Sequence, residues 1–142
     1  MNTNITGERL FLLYAWPCAI LRLNAGEIGG NDYIELERLV KSGADPKRAL
    51  LAHCFPNAHK GIGSWSYDSV AHYWRNLHCH EGKPRDVRKV MVIEIMHKGL
   101  VKVKIGDRGL IFVNEYELSL QVGDIVFTHK NTIIEKAQND TA

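Results

Sequence analysis

From about Pro84 onward the apolar residues of this chain change period, and that switch limits the folds open to it. Upstream they recur every three to four positions, as on the face of a helix. Downstream they alternate in short β-branched runs separated by turn residues, as in half-buried strands. Glu81-Gly82-Lys83-Pro84 marks the junction. The expectation is an α+β protein with two parts, a helical domain over 1–84 and a small β domain over 85–142. With 142 residues there is room for one domain or two small ones packed together.

Residues 8–24 are apolar nearly all round, as for a central helix, and Pro17 predicts a kink or break near Leu13–Trp16. Asp32-Tyr33-Ile34-Glu35 has capping-box spacing and opens a second helix that stops at Ser42-Gly43. Asp45-Pro46 opens a third, ended by Pro56, with 60–64 a loop. Ser64 or Ser66 caps a fourth, whose apolar stripe is Val70, Trp74 and Leu77. About four helices are therefore expected.

Five strands follow, Val90–Ile95, Leu100–Ile105, Leu110–Val113, Ile125–Thr128 and Thr132–Glu135. Val101, Val103, Ile93 and Ile95 should face inward, and Glu94, Lys102 and Lys104 outward. Gly106-Asp107-Arg108-Gly109 suits a hairpin turn. No helix intervenes, so a small antiparallel five-stranded barrel, like an oligonucleotide-binding (OB) fold in outline, is the expectation.

Charge argues against nucleic acid as a partner. Ten basic and eight acidic residues lie in the first 85 positions, and eight of each in the rest, so neither part concentrates positive charge. No apolar run reaches the ~20 residues of a membrane span. Three cysteines, an odd number without scaffold spacing, point to free thiols in the cytoplasm.

The stretch Val122-Gly123-Asp124-Ile125-Val126-Phe127-Thr128-His129, followed by Thr132-Ile133-Ile134-Glu135-Lys136, resembles the HypC family, the small β-barrel chaperones of nickel-iron hydrogenase maturation. There a Val-Gly-Asp turn leads into a strand ending in histidine, and the next strand ends in Ile-Glu-Lys. The likeness covers 91–136, about a third of the chain. It implies a non-catalytic assembly or adaptor protein that holds a hydrogenase large-subunit precursor or a maturation scaffold protein. The partner surface it implies lies around Met91, Val92, Met96, His97 and His129. Trp65, in a glycine-flanked loop, is a further candidate partner anchor. The family's cysteine position falls on Val92 and its proline on Met96, and valine offers no soft donor to a metal.

Two other readings start from the residues themselves. Five of seven histidines and two of three cysteines lie between His53 and His80. His53, His59, His72 and Cys79 are candidate ligands for zinc, nickel or iron, although their spacing matches no standard zinc pattern. A small thiol enzyme would pair Cys54 or Cys79 with a histidine. Cys18, in an apolar helix, reads as core. No phosphate loop, dinucleotide fingerprint or carboxylate pair is present, so binding or assembly is expected rather than catalysis.

Overall fold

A computed structural model describes residues 5–78 and 87–137. The chain divides into two compact units, Met1–His78 and Cys79–Ala142. The expected junction at 81–84 lies outside the described residues.

The first unit is helical: α1 (Gly7–Asn24), α2 (Gly30–Ser42), α3 (Arg48–Cys54), α4 (Pro56–Ile62) and α5 (Tyr67–His72), with α5 passing into a π-helical turn, Tyr73–Leu77. The Thr6 hydroxyl accepts from the Arg9 amide and starts α1. Every residue from Leu10 to Trp16 is buried, as the all-round apolar pattern requires. Pro17 does not break this helix, which runs on to Asn24. Packing around its buried half holds the turn that loses a donor. The aromatic core gathers on Phe11, whose ring meets Phe55, Trp65 and Trp74 at centroid distances of 6.1, 5.3 and 5.6 Å. Tyr14 stacks on Trp74 at 5.8 Å.

Several helix starts differ from expectation. Gly29, not Asp32, is the N-cap of α2, and Asp32 fills the third helical position, where Oδ2 accepts from the Gly29 amide at 3.1 Å. The reciprocal half of a capping box is enough to set the start. Asp45-Pro46 precedes α3 without entering it, since α3 begins at Arg48. Pro56 opens α4 as well as closing α3, because proline costs nothing in a first turn whose amides have no intrahelical partner. Among the described residues there are thus five α-helices, and most of the segment expected as a loop is helical. Ser66 caps α5 by accepting from the Ser69 amide, as expected.

The second unit holds β1 (Val87–Ile95), β2 (Leu100–Ile105), β3 (Arg108–Val113), β4 (Ile125–His129) and β5 (Thr132–Lys136). The strand order β1-β2-β3-β5-β4 closes on itself, with β4 pairing back to β1. Four of the five pairings are antiparallel; β3 and β5 run parallel and meet at Val113 and Thr132. The sheet is therefore mixed rather than wholly antiparallel. A ring with an odd number of strands cannot alternate direction all the way round, so one parallel junction is unavoidable.

Val90, Val92, Val101, Val103, Phe112, Val126 and Ile133 form the core, with Leu118 and Leu120 packed against it. A bulge between Val92 and Glu94 shifts the pleat of β1. It turns Val90 and Val92 inward, leaving Ile93 half-buried and Ile95 exposed, which reverses the expected face of this strand. Among the described residues no helix is long and apolar enough to cross a membrane.

Candidate functional site

Within the helical unit a thiol and an imidazole come together. Cys18 follows Pro17 on α1, two residues beyond the buried stretch, and is half-buried. His78 follows the π-helical turn, and its amide donates to the Tyr73 carbonyl at 2.7 Å, a bond spanning five residues. Wide turns of this kind recur at functional sites because they displace the following side chains from ordinary helical positions. A ring nitrogen of His78 lies within 4.8 Å of the Cys18 sulfur.

The imidazole is held from two sides. The Tyr73 hydroxyl sits 3.2 Å from Nδ1. The Trp74 ring lies 4.4 Å from the imidazole, centroid to centroid, at an interplanar angle of 54°. The Tyr73 hydroxyl and the Trp74 ring together orient the imidazole.

The predicted ligands are dispersed among other contacts. His53 is exposed and pairs with Asp32, Nε2 to Oδ2, at 3.2 Å. His59 is exposed with its ring 5.6 Å from Trp65, and the Nδ1 of His72 is 3.2 Å from the side-chain amide of Asn76. None of these three belongs to a converging group of three His, Cys, Asp or Glu donors among the described residues. Cys79 lies outside the described residues.

Cys54 is fully buried, and desolvation, with the Asp32 carboxylate adding to it and Arg22 opposing, pushes its thiol up to about 11. A thiol that keeps its proton near neutrality is a poor nucleophile, so Cys54 does not suit the thiol-enzyme reading.

The residues of the predicted partner surface differ in burial. Val92 is fully buried in the core of the closed sheet, and His129 is fully buried at the end of β4. Met91 and Met96 are half-buried and His97 is exposed. Trp65 is half-buried, with its ring on Phe11 and beneath the Arg48 guanidinium at 5.7 Å, which makes it a packing residue first.

The Val122-Gly123-Asp124 segment forms a turn stitched to β1. The Gly123 amide donates to the Val92 carbonyl and the Val92 amide to the Asp124 carbonyl, both at 2.8 Å. Gly123 has φ +98°, and Asp124 Oδ2 accepts from the Gln121 amide at 2.8 Å. After β4, Lys130 and Asn131 both take positive φ and reverse the chain into β5.

The pairing of Cys18 with His78 was not visible from local spacing. The two are sixty positions apart, and an apolar helix disguises the cysteine. The aromatic Tyr73-Trp74 before a histidine was the available clue. No protein-family model, curated protein or solved structure matches the chain.

Proposed function

We propose that this chain is a non-catalytic assembly factor whose β unit, an OB-like barrel, holds a protein partner in the manner of the HypC-type chaperones it resembles. The observation that carries the reading is exposed apolar surface on the strands and on the turn before β4. Ile95, Leu100, Ile111, Val113, Val122 and Ile125 are all exposed. They are six of the ten large hydrophobics that are exposed among the described residues. Leu100 and Val113 lie opposite one another across β2 and β3, with Lys102 and Ile111 the next outward pair. Neighbouring exposed apolar side chains such as Leu100, Ile111 and Val113 mark a contact site more often than chance.

The sequence likeness adds a partner class. Its Val-Gly-Asp turn is bonded to Val92, the position that corresponds to the family's cysteine. With valine there, the barrel contributes protein contact and no metal ligand from that position. The partner proposed is a hydrogenase large-subunit precursor or a maturation scaffold protein.

The test is direct binding of the purified chain to each of those two partner types. Micromolar or tighter association that is abolished by the double variant Ile111→Asp/Val113→Asp supports the reading. Lack of association with either removes the hydrogenase assignment, and association unaffected by the double variant moves the contact off this face.

A further inference from the structure

We infer that the open edge of β3 pairs with the same edge of a second copy of this chain, antiparallel about a two-fold axis at Leu110. This inference stands apart from the assembly reading, since it needs no other protein. The β2–β3 ladder is regular from Leu100↔Val113 to Ile105↔Arg108. Along such a ladder successive residues turn their amide and carbonyl to one side and then the other. The Asn114 amide donates across to the Gly99 carbonyl at 2.7 Å, whereas the Val113 amide donates away from β2, to the Asn131 carbonyl at 2.9 Å. Gly109 and Ile111 share the direction of Val113. β5 meets β3 only at Val113, so among the described residues no backbone group pairs with the outward amides and carbonyls of Gly109 and Ile111. Both residues are exposed.

An exposed edge of this kind is a template for another strand, and 109–113 contains none of the prolines, charges or bulges that guard against pairing. The edge is complementary to itself. With Leu110 opposite Leu110 of the second copy, Gly109 faces Ile111 in both directions, and each such pair exchanges both of its N–H···O bonds. Glycine leaves no side chain to collide with the facing isoleucine. The Lys102 stem, 3.1 Å from where a Cβ of Gly109 would stand, offers that isoleucine an apolar surface. Charge favours the same arrangement. β3 begins beside Lys104 and Arg108 with Asp107, a net basic end, and is followed by Glu115 and Glu117 with Lys98 nearby, a net acidic end; all six are exposed. Antiparallel pairing sets each basic end toward the acidic end of the other copy. The contact uses one surface twice, so it closes at a dimer.

Sedimentation of the full chain should show a monomer–dimer equilibrium without larger species. Gly109→Val, which crowds the facing isoleucine, and Ile111→Lys, which places a charge on the edge, should each weaken dimerisation by roughly tenfold or more. Leu110→Cys tests the register. A non-hydrogen-bonded antiparallel pair holds its Cα atoms about 4.5 Å apart, within the span of a disulfide. Mild oxidation should therefore link Cys at 110 to its counterpart, identified by peptide mass analysis, while Lys104→Cys on β2 should give no such link. A chain that stays monomeric to millimolar concentration overturns the proposal. So does a dimer that forms without the 110–110 link, or one that is unchanged in both edge variants. Circular dichroism checks that the variants fold; should Gly109→Val fail to do so, Ile111→Lys, which alters an exposed side chain, decides.

Discussion

Gly7 shows how much a single missing methyl group can matter in this chain. It lies in the first turn of α1, where an added Cβ would sit 1.8 Å from the Trp65 carbonyl oxygen. That obstacle is backbone and cannot rotate away. Gly7→Ala should therefore lower stability by about 1–3 kcal/mol, read from the midpoint of urea unfolding. A neutral result would mean that the loop carrying Trp65 gives way easily. Cys54 makes a different kind of residue-scale statement. Its thiol moves from an ordinary 9.0 to about 11 because burial penalises the thiolate. Between those values the folded chain keeps a proton that the unfolded chain has released. The contribution is complete below pH 9 and is lost as pH rises toward 11. Stability should fall more steeply with pH in the parent than in Cys54→Ala across that window, and parallel curves would contradict the assignment.

The elements owe their ends to a few named bonds. Arg9, on α1, closes the C-terminus of α2: its guanidinium donates to the carbonyls of Leu39 at 2.6 Å, Val40 at 2.9 Å and Ala44 at 3.3 Å. Charge and hydrogen bonding act together there, since a helix C-terminus is the negative end of its dipole. Arg9→Met keeps the stem and removes the donors, so a loss of about 1–3 kcal/mol is expected in thermal or urea unfolding. Recovery of stability in Arg9→Lys would assign the effect to charge rather than to the fork of donors. The sequence made β2 legible to the residue, because Leu100–Ile105 alternates cleanly and ends at Gly106. It misassigned the face of β1, since a bulge adds one residue and alternation carries no sign of where that falls. Pro56 follows the end of α3 and also starts α4, and in a sequence only the terminator role shows, because proline's fixed φ fits both. The meeting of Cys18 and His78 depends on tertiary packing, to which spacing along the chain is blind.

For the molecule as a whole, the distribution of exposed apolar side chains is uneven. The helical unit buries the face of α1 from Leu10 to Trp16, while the strands leave Ile111 and Val113 in solvent. Outward residues contribute little to a sheet's own core, so Ile111→Asp/Val113→Asp should lower the unfolding free energy by under about 1 kcal/mol. Partner association, or self-association at high concentration, should fall sharply in the same variant when followed by sedimentation. A large loss of stability instead would mean that these side chains are part of the fold rather than its contact surface.

The wide turn at Tyr73–Leu77 carries a consequence for how this chain tolerates insertion and deletion. An α-helix advances about 100° per residue, so removing one residue from that turn would rotate everything after it by that angle. The imidazole would swing off the sulfur although every amino acid at the contact kept its identity. The approach of Cys18 and His78 thus depends on the number of residues in this short stretch as well as on their kind.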